Sequence, residues 1–196
     1  MYIFIQNKIK MAETSSNMLP LGTEAPSFKL LDTTSGTKRS LNELRGSNGT
    51  IVMFICNHCP YVIYINQQLV LLAKELLKDG IKVIAISSND TEKYPQDGPI
   101  AMGVHAKKMK YSFPYLYDKT QQIAKAYNAA CTPDFYLFNS ELKLTYRGQI
   151  DDSRPGNDLA VNGSELRHAV SCLIKNKKNT RTQKPSMGCS IKWKLK

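Results

Sequence analysis

Thr50-Ile51-Val52-Met53-Phe54-Ile55-Cys56-Asn57-His58-Cys59-Pro60-Tyr61-Val62 is the stretch that decides the fold. Its first six residues form a short apolar run rich in β-branched side chains, the pattern of a strand covered on both faces. Beyond it, Val62, Ile65, Leu69, Leu72 and Leu76 recur at three- and four-residue steps. That spacing is one face of an amphipathic helix. Gly80 stands where a left-handed residue would close the helix. Pro60 suits a first helical turn, where its missing N–H has no partner to lose. Two cysteines two residues apart therefore lie where a strand ends and a helix begins.

That joint favours sulfur chemistry. The first turn of a helix has unpaired N–H groups and a partial positive charge, and both stabilise a thiolate over a thiol. His58, between the cysteines, offers a further positive charge or hydrogen bond. The reading is a redox-active dithiol, Cys56 and Cys59 assisted by His58, with no metal and no cofactor. The same spacing also ligates zinc, but a structural zinc site needs four ligands, usually from two such pairs. No second pair occurs, so the metal alternative would draw its third and fourth ligands from His58 and Cys131.

Outward from this joint, Ile81-Lys82-Val83-Ile84-Ala85-Ile86-Ser87 is a second β-rich run, which makes a βαβ unit with parallel strands. Residues 88–98 read as a surface loop and 99–110 as a helix. A second short helix, capped by Thr120, is expected to end near Asn128. Residues 135–147 read as a β-hairpin and 164–174 as a helix with Leu166, Ala169, Val170 and Leu173 on one face. Upstream, Phe28 to Leu41 suggests a small N-terminal hairpin leading into a helical turn. The sum is an α/β fold with a central mixed sheet flanked by helices. The cysteines sit at the carboxyl end of a parallel strand, where such sheets place their sites.

At 196 residues, 42% hydrophobic and 22% charged, the chain suits one domain with a sizeable core. No apolar run is long enough for a membrane span. The apolar residues Tyr2 to Ile5 precede the lysines rather than follow them, the wrong order for a secretory signal. Met11 is an alternative start, and a cytoplasmic location is expected. Five cysteines with one close pair do not form the framework of a disulfide-stapled secreted domain. Of the net charge of +11, eight basic residues between Lys175 and Lys196 supply most, leaving +3 elsewhere. That tail lacks the aromatic interleaving of a single-strand binder, so no nucleic-acid or membrane partner is expected. The domain reading is a flexible extension over 1–18, a globular domain over 19–175, and a basic tail over 176–196.

Four stretches carry a resemblance: Gly22-Thr23-Glu24-Ala25-Pro26-Ser27-Phe28, Cys56-Asn57-His58-Cys59-Pro60-Tyr61-Val62, Cys131-Thr132-Pro133-Asp134-Phe135, and Met187-Gly188-Cys189-Ser190-Ile191-Lys192-Trp193-Lys194. On these the chain resembles the thioredoxin superfamily. More narrowly it is similar to the redoxin branch of alkyl hydroperoxide reductase and thiol-specific antioxidant proteins. The resemblance implies a thioredoxin-like fold, Cys56 as nucleophile and Cys59 as its resolving partner. It also implies a cis proline at Pro133, with Thr132-Pro133 facing the dithiol and binding substrate. Two family patterns are missing. The proline and threonine that precede a peroxidatic cysteine are absent, since those places hold Gly49 and Met53 before Cys56, and Val52 and Cys56 before Cys59. The tryptophan and buried aspartate of thioredoxin are replaced by Ile55 and Thr50.

The implied function is thiol–disulfide exchange with protein or small-molecule disulfides, served by an unidentified reductant, in a monomer or homodimer. The alternatives are a peroxiredoxin-like thiol peroxidase and a copper- or zinc-binding module. Cys131 and Cys189 are candidates for further redox roles, and Cys172 reads as packing. Finally, residues 176–186 contain no apolar residue and read as a linker. Met187, Cys189, Ile191 and Trp193 alternate after it, which predicts an extended segment docked back on the domain with Trp193 buried.

Overall fold

The structure, a computed structural model, describes residues 13–195. Strands and helices follow in the order β1 (Glu13–Ser15), β2 (Lys29–Asp32), β3 (Lys38–Ser40), α1 (Leu41–Leu44), β4 (Gly49–Phe54), α2 (Pro60–Leu77), β5 (Ile81–Ser87), α3 (Pro99–Met109), β6 (Tyr115–Tyr117), α4 (Gln122–Ala126), β7 (Cys131–Thr132), β8 (Asp134–Asn139), β9 (Leu144–Gly148), α5 (Ser164–Ile174) and β10 (Met187–Ser190). Seven strands make one mixed sheet in the order β3-β2-β6-β5-β4-β8-β9. Within it β4, β5 and β6 run parallel, and the remaining pairs are antiparallel. A second, three-stranded sheet has the order β1-β10-β7.

The central strand shows why β4 reads as a doubly covered run. Ile51, Met53 and Ile55 pack into one apolar cluster with Val62, Ile65, Leu69, Leu72 and Leu76 of α2 and Leu166 and Val170 of α5. Val52 and Phe54 point the other way, into a cluster with Phe28, Leu41, Ile86, Tyr136 and Ile191. All five periodic positions of α2 are buried, each worth about 1.5–3 kcal/mol of burial. Gly80 adopts φ +71°, and a Cβ there would meet Ser47 Oγ at 2.4 Å, so the turn after α2 accepts only glycine without strain.

Three expectations are corrected. Of the extension over 1–18, residues 1–12 lie outside the described residues, but Glu13–Ser15 is a strand paired with β10. Backbone pairing supplies the order that its polar side chains do not. Thr120 does not cap α4. Asp118 does that work, its carboxylate accepting from the Ala124 amide at 3.0 Å. The stretch 176–186 is tied down near its end: Gln183 accepts from the Arg147 amide, and the Gln149 amide donates to the Lys184 carbonyl. No helix among the described residues is long and apolar enough to cross a membrane.

Candidate active site

Cys56 lies two residues beyond β4, after Ile55, whose amide donates to the Ile86 carbonyl at 3.0 Å and carries the ladder one step past the strand. Cys59 is the N-cap of α2, with extended backbone (φ −68°, ψ 121°) and Pro60 at the first helical position. Its carbonyl accepts the helix bond from the Ile63 amide at 2.9 Å. Facing both is the turn between β7 and β8, whose Thr132–Pro133 peptide bond is cis. The Thr132 carbonyl oxygen lies 3.1 Å from Cys59 Sγ, and Thr132 Oγ1 lies 3.6 Å from Cys56 Sγ. One threonine therefore touches both sulfurs, one through its backbone and one through its side chain.

A third sulfur completes the group. β10 pairs antiparallel with β7, with Cys189 opposite Thr132 and Ser190 opposite Cys131. The pairing puts Cys189 Sγ 3.0 Å from Cys59 Sγ. Cys56, Cys59 and Cys189 are at most 2% exposed. The alternating tail pattern does describe a docked strand, but it stops at Ser190. Beyond it the Lys192 amide donates to Asn89 Oδ1 and the Lys194 amide to Gln121 Oε1. The chain has left the ladder there, so Trp193 is 38% exposed rather than buried, with the Lys125 ammonium 5.8 Å from its ring centroid.

The three thiols share one favourable place for a negative charge. Cys59 is held below the ordinary thiol range, first by S–H donation from Cys189, then from Cys56, against the cost of burial. Cys56 is held above it, by donating to Cys59, by burial and by the negative charge of Asp97. Cys189 is pushed up for the same first two reasons. The expectation that His58 lowers the Cys56 thiol is therefore corrected. His58 Nδ1 lies 2.6 Å from Asp97 Oδ2, and its ring stacks on Tyr94. The imidazole is turned to a carboxylate whose own charge opposes ionisation of Cys56.

Asp97 is the residue that sequence reading missed. It is fully buried at the end of the 88–98 loop. Its carboxylate accepts from the Asn57 amide and from Asn89 Nδ2, each at 2.8 Å. Asn57 in turn donates through Nδ2 to the Gln96 carbonyl and accepts from the Tyr115 hydroxyl. These bonds lock residues 57 and 58 onto the loop. The Cys56, His58 and Asp97 ligand atoms all lie within 4.8 Å of one another. The His58–Asp97 separation of 2.6 Å is a direct contact, shorter than two ligands separated by a tetrahedral zinc ion would show.

The other candidates separate clearly. Cys131 turns its thiol to the Pro133 and Ser186 carbonyls at 3.6 and 4.0 Å, and burial and the Asp134 charge push it up. It thus makes neither a third dithiol sulfur here nor the fourth ligand of the metal alternative. Cys172 lies half-buried on α5 beside His168. Thr50 is buried, its hydroxyl accepting from the Gly46 amide at 3.1 Å. Under the turn, Asp134 and Arg147 form a fully buried ion pair at 3.0 Å, with the guanidinium over the Tyr136 ring.

The AhpC/TSA family model matches residues 21–147. An uncharacterized conserved protein from Geobacillus kaustophilus is 48% identical, with a TM-score of 0.93 over 95% of this chain and 98% of that one. A hypothetical protein from Sinorhizobium meliloti is 44% identical, with a TM-score of 0.90 over 93% and 100% of the two chains. Peroxidoxin BcpB from Mycobacterium tuberculosis, 15% identical with a TM-score of 0.61 over 84% and 100%, shares the thioredoxin-like fold. No curated protein matches.

Proposed function

The chain belongs to the AhpC/TSA family, and on that premise we propose that it is a thiol–disulfide oxidoreductase working through Cys56 and Cys59. Family membership supports oxidoreductase chemistry in general. The specific reaction rests on one observation, the meeting of both cysteines with Thr132 at the end of β4 and the start of α2. Protein or small-molecule disulfides are the proposed substrates, and a cellular thiol is the proposed reductant.

In the first step Cys56 gives up its proton and attacks a substrate disulfide RSSR as the thiolate, forming Cys56–S–S–R and expelling RS⁻, which takes up that proton. Next the Cys59 thiolate attacks Cys56 Sγ, forming the Cys56–Cys59 disulfide and expelling RS⁻. Cys59 suits the leaving-group role, while Cys56, whose ionisation Cys59, burial and Asp97 oppose, must give up its proton as it attacks. A thiolate held at low pKa is a good leaving group, so a reductant attacking Cys56 Sγ in the reverse sense expels Cys59 readily. Thr132 keeps the pair aligned from the opposite side. A thiol-peroxidase reading, with Cys56 attacking a peroxide instead, draws on the family assignment, while the missing proline and threonine weigh against it.

Turnover of oxidised glutathione coupled to a dithiol reductant tests the proposal. It is expected in the parent and lost in both Cys56→Ser and Cys59→Ser. On chemical trapping, Cys59→Ser accumulates a mixed disulfide on Cys56. Peroxide consumption with no turnover of disulfides would favour the peroxidase reading.

A further inference from the structure

Three groups of residues lie outside the chemistry just described: the buried Asp134–Arg147 pair, the His58–Asp97 contact, and Cys189. The first two are internally paired. Cys189 is different, because its thiol has a sulfur for a neighbour. From that geometry we infer that Cys189 is a third redox cysteine, exchanging disulfide with Cys59 inside the molecule. The inference rests on the dithiol reading above.

Four observations place it. The Sγ atoms of Cys59 and Cys189 are 3.0 Å apart, so a bond of about 2.05 Å needs roughly 1 Å of closure. β10 is held on both edges, by β7 on one side and β1 on the other, with Gly188 opposite Thr14 and Cys189 opposite Thr132. The ladder continues in both directions, as the Ile191 amide donates to Ala130 and the Ser16 amide to Ser186. The cysteine is thus presented by a clamped strand, not a wandering tail.

The third observation concerns access. β10 occupies the backbone edge of β7 beside Pro133, where an extended peptide could otherwise add as a strand. The molecule supplies its own strand there, and that strand carries a thiol directed at Cys59. The fourth is the shared negative charge. Cys189 and Cys56 both donate to Cys59 in the reduced state, Cys189 with the larger effect, so Cys59 has two sulfur partners.

The step balances without a further reagent. Once a substrate disulfide has oxidised the dithiol, Cys189–SH attacks Cys59 Sγ, the Cys56–Cys59 bond breaks and Cys59–S–S–Cys189 forms. Cys56 departs as a thiol, taking up one proton as Cys189 gives one up. The oxidising equivalents have moved inward, and Cys56 is again free for the next disulfide. A dithiol reductant then returns Cys59 and Cys189 to thiols.

The test oxidises the full chain with oxidised glutathione, quenches in acid, alkylates free thiols and maps tryptic peptides by mass spectrometry. Cys56 and Cys59 fall on peptide 46–74, and Cys189 is the only cysteine of peptide 182–192. The expected result is a joined pair of these peptides in the parent with Cys56 alkylated, lost both in Cys56→Ser, which has no entry point for the oxidant, and in Cys59→Ser. A Cys56–Cys59 disulfide in the parent with Cys189 recovered as a free thiol in every variant overturns the inference and leaves the dithiol function standing. Absence of any oxidised cysteine overturns both. Links spread over Cys131 and Cys172 as well would mark random pairing in an opened chain, and they too would overturn it.

Discussion

Gly188 lies so close to Thr132 that a Cβ on it would sit 2.0 Å from the Thr132 carbonyl oxygen. The same carbonyl is the one that approaches Cys59 Sγ. The seat of β10 and the geometry of the dithiol therefore share an atom, and a single methyl group should separate them. Overpacking of this kind costs about 1–3 kcal/mol, which raises the share of molecules with β10 lifted by roughly 5- to 150-fold. Gly188→Ala should accordingly speed alkylation of Cys59 and Cys189 in the reduced protein by a factor in that range. Unchanged rates would mean that β10 is not the barrier over the sulfurs.

Asp97 is expected to restrain Cys56. Replacing it by Asn removes the negative charge that, after the Cys59 contact and burial, holds the Cys56 thiol up. Asp97→Asn should make Cys56 ionise at lower pH and react faster near neutrality. Alkylation rate against pH, read at Cys56 in parent and variant, checks this. A profile moved to higher pH would contradict it.

The reduced protein should also show a pH-dependent stability of definite sign. Cys59 ionises more readily folded than unfolded. Its contribution is complete above the unfolded thiol value of about 8.5 and is lost as pH falls toward the folded value. Cys56 and Cys189 are shifted upward, so their contribution is present below about 8.5 and lost as pH rises beyond it. Denaturation under reducing conditions should show stability rising between about pH 7 and 8.5, by at most about 1.4 kcal/mol per pH unit. Cys59→Ser should lose that rise. The same slope in the variant would assign it to other groups.

Much of this was legible from local pattern. The β4–α2–β5 unit follows from periodicities that need only neighbouring residues, and each apolar position read for α2 is buried. The strand character of the tail was legible in the alternation of Met187, Cys189 and Ile191. The exposure of Trp193 was not, because it depends on where Asn89 and Gln121 pull the chain off the ladder. Asp97 looked like one more polar residue of a loop. Only tertiary folding, which sets it against Asn57 and His58, makes it part of the site. β1 gave no signal at all, since Glu13, Thr14 and Ser15 are polar and their partner strand lies at the far end of the chain.

The buried pair beneath the site carries a stability prediction. Asp134 and Arg147 are both fully buried, and burial pushes the Asp134 carboxyl up to about 6 even with the guanidinium beside it. Removing one partner strands the other. Asp134→Ala and Arg147→Ala should each cost about 3–5 kcal/mol in denaturant unfolding. A loss below about 1 kcal/mol for either would show that the pair is not closed as described.

The most direct measurement of the central claim is the redox titration of the full chain in glutathione buffers, read by acid trapping and thiol counting at each cysteine. The account predicts one two-electron transition that removes Cys56 and Cys59 reactivity together or passes it on to Cys189. Its slope should be about 30 mV per tenfold change in the oxidised-to-reduced ratio, and Cys59→Ser should replace it by a glutathione mixed disulfide on Cys56 alone. Cys56 and Cys59 remaining free thiols across the whole buffer range would contradict it.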